Sequence, residues 1–160
     1  MRIVCAAIGR AKAGPERDLA EAYLARARAA GRVLGVRGVE LVELDESRAR
    51  SSGERRGIEA QALLAQVPAG AVLVALDETG ASLASTQFAA LVGQWRDAGR
   101  GACVFAIGGP DGHGAEIAAR ADLILSLGAM TWPHLLARVL VAEQIYRAVT
   151  ILSGHPYHRA

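Results

Sequence analysis

The 160-residue chain is short of several residue types, and each shortage narrows what it can be. It has two cysteines, Cys5 and Cys103, far apart and each inside an apolar run. That spacing matches no zinc-ligand pattern, so we read both as small buried hydrophobes and expect no metal site. Aromatic residues make up only 4% of the chain, so the core must be built from Ala, Val, Leu and Ile. No Gly-Lys-Ser/Thr occurs, which removes the P-loop. No apolar stretch reaches the length of a membrane span, and Met1-Arg2 leads straight into a strand-like run without a secretory leader. A cytoplasmic protein with no membrane contact is the expectation. Lysine is nearly absent: Lys12 stands alone among 18 basic residues. Arginine pairs bidentately with phosphate and stacks on bases, so this bias matters if nucleic acid is a partner. A net charge of +2 excludes a nonspecific nucleic-acid coat but permits a local basic patch.

What is present is an alternation. Short apolar runs at residues 3–8, 36–44, 71–76, 103–107 and 123–127 read as strands. Between and after them, helical patterns occupy 15–30, about 52–67, 85–98, 115–120 and 133–152. Gly31 and Gly99 are placed to end helices, Ser85 to cap one, and Ser51-Ser52-Gly53-Glu54 has capping-box spacing. The third strand is apolar throughout, as in a buried parallel sheet. The pattern predicts one α/β domain over residues 1–160, a parallel-type sheet with helices on both faces. The last helix carries Leu135, Leu136, Val139, Leu140, Ala142, Ile145, Tyr146 and Val149 on more than one face. Such a helix is expected to be buried both by its own sheet and by something else, most simply a second copy of the chain.

Ligands of parallel sheets bind outside the carboxyl ends of the strands. Three such ends are unusual here: LDETG (76–80), IGGPDGHG (107–114) and LSLGAMTWPH (125–134). The glycines of the second permit tight turns and close backbone approach, but their spacing is not G-x-G-x-x-G and they follow the fourth strand, not the first. The third has no charge and no nucleophile before His134. It reads either as a loop packed on the core, with Met130 and Trp132 buried, or as a wall of small and greasy residues around a ligand. His113 and His134 read as helix-start residues. His155 and His158 are too few for a zinc site, yet the closing HPYHRA brings together an aromatic ring, an imidazole and a guanidinium, groups suited to RNA or to proton transfer. Residues 45–56 hold Arg48, Arg50, Arg55 and Arg56; a solvated loop is the simpler reading, a phosphate-contacting edge the sharper one. On the last helix Arg147 lies at i+4 from Glu143 and can pair with it, leaving Arg138 as a candidate for RNA.

Taken together, LDETG, IGGPDG, LSLGAMTWPHLLARVLVAEQIYRA and the terminal HPYHRA, with the IVCAAIGRAK start, resemble one family over the whole length. It is the bacterial pseudouridine-N3 methyltransferases of 23S rRNA, the ribosomal large subunit methyltransferase H family of the SPOUT class. The resemblance implies an α/β fold with a trefoil knot near the carboxyl end, S-adenosylmethionine as methyl donor, a homodimer, and N3 of a pseudouridine in helix 69 of 23S rRNA, within the ribosome, as acceptor. Carried over by position, it implies cofactor contacts at Leu76, Gly108, Gly109, Leu127, Gly128, Ala129, Met130, Thr131 and Trp132. Trp132 stands where members often have Leu or Phe, and Gly128 where Ser is common. His158 and Tyr157 would assist loss of the acceptor proton, and Arg159 would stabilise the developing charge. A nicotinamide or flavin oxidoreductase and a non-enzymatic ribosome-binding factor are the competing readings; the first lacks its glycine fingerprint after strand one.

Overall fold

The computed structural model describes residues 1–158. Five parallel strands, β1 (Arg2–Ile8), β2 (Gly38–Leu44), β3 (Val72–Ser82), β4 (Ala102–Ile107) and β5 (Leu123–Ser126), line up in the order β2-β1-β4-β3-β5. The helices are α1 (Pro15–Gly31), α2 (Ser52–Leu64), α3 (Ser85–Asp97), α4 (Ala115–Arg120) and α5 (His134–Ser153). The expected α/β class and all ten elements are present, with ends moved by a few residues.

Strand periodicity sorts the core into two layers. Ile3, Cys5 and Ala7 of β1 face a cluster shared with α1, α3 and α5. Val4, Ala6 and Ile8 face a second one with Ala60 and Leu63 of α2 and Ile117 of α4. Because β1, β4 and the first half of β3 are covered on both faces, their runs are apolar without alternation. Each buried Val, Leu, Ile or Phe contributes roughly 1.5–3 kcal/mol, so these strands rather than the exposed ion pairs carry the stability. Cys5 and Cys103 are buried and free, and burial pushes the Cys5 thiol up to about 12.

Local signals explain most boundaries. Pro15 sits in the first turn of α1, where its missing N–H is harmless. Gly31 is the last residue of that helix, in right-handed rather than left-handed conformation; its absent side chain makes room for Val36, and the chain turns at Gly35 with φ +74°. The capping box at α2 is formed, with Glu54 N donating to Ser51 Oγ at 3.2 Å. Ser85 is not a cap: its hydroxyl donates to Gln144 Oε1 on α5 at 2.8 Å, and Ala84 holds the cap position. Among the described residues no helix is long and apolar enough to cross a membrane.

One expectation for α5 is narrowed and another corrected. Its apolar surface is covered only in part within the same chain: Val139, Ala142, Ile145 and Tyr146 join the core against α1, α3 and the sheet, whereas Leu135 and Leu140 are half-buried outside it and Leu136 is exposed. Arg138 is no RNA ligand. It is buried, donating from Nη2 to the carbonyls of Ile8 and Gly9, both at 2.7 Å, and from Nη1 to Glu43 Oε1 at 2.7 Å. Glu43 also accepts the Ala11 N–H at 2.8 Å, so one ion pair ties the start of α5 to the carboxyl ends of β1 and β2. Removing one member of such a pair strands the other in a low-dielectric site. Arg138→Ala should lower unfolding free energy in urea by about 3 kcal/mol, while Arg17→Ala, which removes an exposed pair with Glu21, should leave the midpoint in place; equal midpoints for the two variants would refute this ranking.

Candidate active site

The principal cleft opens at the carboxyl ends of β3, β4 and β5 and has a volume of about 750 Å³. That is the size of a site for a nucleoside-sized ligand. Three loops build it: the excursion after Leu76, the Gly108–Gly112 turn and the segment after β5.

The first loop is held at both ends by the same residue. Leu125 pairs with Leu76 and again with Ala81, so residues 77–80 bulge out and return. Gly80 is obligatory there, since a Cβ would lie 2.7 Å from the Ile124 main chain. Inside the bulge Asp77 Oδ1 accepts the Thr79 N–H at 2.9 Å and its hydroxyl at 2.6 Å; these bonds hold the Asp77 carboxyl below its ordinary pKa.

The second loop is a four-residue turn, with Gly112 N–H donating to the Gly109 carbonyl at 3.0 Å and Pro110 at the position that favours its fixed φ. Its glycines are required by protein rather than by ligand. A Cβ on Gly109 would stand 2.9 Å from Glu59 Oε2 and 3.0 Å from Ile8, and one on Gly108 3.3 Å from the His113 ring. Arg55 of α2 grips the turn from outside, with Nε to Asp111 Oδ2 at 2.6 Å and Nη2 to Oδ1 at 3.1 Å, and draws the Asp111 carboxyl well below its ordinary range. His113 lines the cleft with Nε2 3.1 Å from the Leu76 carbonyl, so it spans the gap between the first two loops. Its Nδ1 is buried without a partner, and burial pulls its pKa below the ordinary 6.5.

The third loop begins at Ser126, whose hydroxyl donates to the Gly128 carbonyl and accepts the Gly128 N–H, both at 3.1 Å. Gly128 has φ +114°, a conformation that disfavours any side chain. Met130 and Trp132 are 74% and 41% exposed, so they are not residues buried in a core-packed loop. Pro133 precedes α5 rather than entering it, and its carbonyl accepts the Ala137 N–H at 2.9 Å.

Of the nine cofactor-site residues expected from sequence, eight line this cleft: Leu76, Gly108, Gly109, Leu127, Gly128, Met130, Thr131 and Trp132. Ala129 does not. Asp77, Asp111, Ser126 and His113 went unassigned; His113 in particular read as a helix-start residue, because its pairing with Leu76 spans 37 positions and leaves no local signal.

The tail lies elsewhere. Tyr157 donates its hydroxyl to Glu143 Oε1 at 3.0 Å, stacks beside Tyr146 at 4.5 Å, and lies under the Arg147 guanidinium at 4.9 Å. Arg147 in turn donates from Nε to Glu143 at 2.9 Å, as expected, and its Nη1 is 3.5 Å from His158 Nδ1. Burial, with Tyr23 and Glu143, raises the Tyr157 pKa far above the phenol range, so this hydroxyl donates and does not act as a base. Arg159 lies outside the described residues. His158 sits beside Arg147, ten residues beyond the cleft residue Ala137 and therefore roughly 15 Å along the helix axis. Among the described residues, the tail and the cleft of one chain do not meet.

The description "Predicted SPOUT methyltransferase" matches residues 1–158. Proteins named "Ribosomal RNA large subunit methyltransferase H" are similar over the full length: 55% identical over 160 residues in Rhodopseudomonas palustris, covering 100% of both chains, and 54% over 159 residues in Methylocella silvestris, covering 99% of both. Among solved structures, the SpoU methyltransferase AviRb from Streptomyces viridochromogenes, in complex with AdoMet, superposes with a TM-score of 0.40 at 14% identity, covering 92% of this chain and 57% of that one.

His113 yields a pH prediction. Burial favours the neutral imidazole in the folded chain, so as pH falls through the ordinary pKa the unfolded chain takes up the proton first and stability falls with falling pH. Thermal melts from about pH 7 to about pH 5.5 should show this loss, and His113→Gln should remove part of it; parallel profiles for the two proteins would exclude the assignment.

Proposed function

The chain belongs to the SPOUT methyltransferase family, and from that premise we propose that it transfers a methyl group from S-adenosylmethionine to N3 of a pseudouridine in helix 69 of 23S rRNA. The observation that carries this reading is the cleft: three sheet-end loops, each shaped by glycine, that present main chain and apolar side chains around a space of about 750 Å³. An adenosyl group needs such walls. Leu76, Ile107, Leu125 and Leu127 offer apolar contact, and Gly108, Gly109 and Gly128 bring main chain without side chains of their own to the cleft. When bound, S-adenosylmethionine supplies an electrophilic methyl carbon on a sulfonium. The trefoil knot belongs, in this reading, where the 77–80 bulge passes against β5.

The chain's own work is positioning and proton removal. Holding the acceptor nitrogen in line with the methyl carbon is worth roughly 7–11 kcal/mol of barrier as effective molarity. The nitrogen must also lose a proton. His158 is the group that takes it, Tyr157, whose one O–H proton is committed to Glu143, holds the tail in place beside Arg147, and Arg159 supplies positive charge toward the developing anion. Since tail and cleft stand apart in one chain, a second copy brings its tail to the first copy's cleft. The exposed Met130, Trp132 and Leu136, at the cleft and the start of α5, are the surface such a partner would cover. The substrate in this reading is rRNA within the ribosome, and the enzyme works in the cytoplasm.

Calorimetry with S-adenosylmethionine should give a Kd near micromolar, about −8 kcal/mol; no heat at millimolar donor would defeat the proposal. Deleting His155–Ala160 should leave that binding intact and abolish methylation of ribosomes, scored by mass spectrometry of the rRNA. Mixing the deletion with Gly128→Val, which is strained in the cleft loop, should restore activity through mixed dimers that keep one sound cleft and one sound tail. If the mixture stays as inactive as its parts, the two-copy site is wrong.

A further inference from the structure

The loop that leads into α2 carries positive charge that the described residues do not neutralise. Arg48, Arg50 and Arg56 are exposed and make no ion pair, whereas their neighbour Arg55 is fully engaged. Of the nearby acids, Asp45 is held by Arg10 at 2.6 Å, Glu54 by the capping box and Asp111 by Arg55 at 2.6 Å, Glu59 is buried, and Glu46 and Glu116 are exposed. The loop is nonetheless fixed. Arg55 Nη1 donates to the carbonyls of Ala49 and Arg50, each at 3.1 Å, and Glu59 Oε1 accepts the Ser47 N–H at 2.9 Å. The Arg55 guanidinium that holds Arg50 also holds Asp111 in the wall of the principal cleft. Three backbone positions are thus buckled to the cleft rim while the guanidiniums between and beside them point out. Ordering the loop in advance reduces the entropy lost when it binds.

Arg56 extends this surface. It lines the principal cleft and also a smaller one of about 460 Å³ between the first turns of α2 and α4. The floor of the smaller cleft includes Gly53 and Gly57, one turn apart on α2, and nothing lies within 4 Å of where their side chains would be. A chain of anions can therefore lie close against α2, with Arg56 beside it and Arg48 and Arg50 at its end.

We propose that Arg48, Arg50 and Arg56 form an arm that grips the phosphodiester backbone of a single-stranded RNA segment and leads it to the cleft. This rests on the RNA-methylating reading above. The guanidinium matches phosphate in a forked, two-bond geometry, and it reads no sequence in doing so.

The test is RNA binding by Arg48→Ala/Arg50→Ala, which retains both backbone carbonyls that Arg55 uses. The probes are a single-stranded RNA with the helix 69 loop sequence and a scrambled single strand of the same length, titrated over a range of salt. The double variant should bind both RNAs more weakly by the same factor, and the slope of log K against log salt should shrink by about 0.7 for each arginine removed. Its S-adenosylmethionine affinity should equal that of the unchanged protein. An unchanged salt slope in a variant that still binds the methyl donor overturns the arm and leaves the methyltransferase reading standing. Absence of donor binding by the unchanged protein overturns the reading itself. Arg56→Ala, tested alone, should cost one further contact; an identical slope removes Arg56 from the arm.

Discussion

Leu125 is paired twice by the same strand, and the cleft exists because of it. A backbone that pairs at Leu76, leaves, and pairs again at Ala81 must throw its intervening residues outward over β5. Only a glycine tolerates the return, because Gly80 passes within contact distance of the Ile124 carbonyl. The bulge becomes one wall; the Gly109–Gly112 turn, at the end of the next strand over, becomes another. His113 then joins these two walls through Leu76, and Ser126 shapes the third by holding Gly128 in its left-handed turn. None of these contacts is strong. Their effect is additive in geometry: each removes freedom from a loop that carries no regular structure.

Charge is used differently in different parts of the molecule. Arg138 is sequestered, and its pair with Glu43 anchors α5 directly after the third cleft loop. Arg55 is half-buried and works as a buckle between α2 and the second loop. Arg147 organises the tail with Glu143 and Tyr157. Arg48, Arg50 and Arg56 have no such duties. A chain with seventeen arginines and a net charge of only +2 can thus be nearly neutral overall and still present cationic groups at one rim. The cleft and the described part of the tail lie at different ends of α5. In the proposed methyl transfer, which needs a donor pocket and a proton acceptor together, this separation makes a second copy part of the proposed site.

The glycines show how a cleft can be located by an incomplete argument. Gly108 and Gly109 were legible as points of close approach, and they do line the cleft. What approaches closely, though, is Glu59, Ile8 and the His113 ring, from the protein side. Met130 and Trp132 had two readings from sequence, buried or ligand-facing; their exposure disposes of the first. The broad apolar surface of α5 suggested an outside partner; α1 and α3 cover the part that holds Val139, Ala142, Ile145 and Tyr146, and Leu136 is left exposed.

Local order was open to reading in advance. Strand runs, the Ser51–Glu54 capping box, the α/β class, the segments that end the strands and the i+4 pairing of Arg147 with Glu143 all depend on residues a few positions apart, where spacing alone decides which side chains meet. The double pairing of Leu125, the burial of Arg138 against Glu43, the bridge from His113 to Leu76 and the distance between tail and cleft were decided by tertiary structure. Each joins residues tens of positions apart, and the order of strands in the sheet, which no periodicity encodes, determines whether such residues lie side by side or at opposite faces of the molecule.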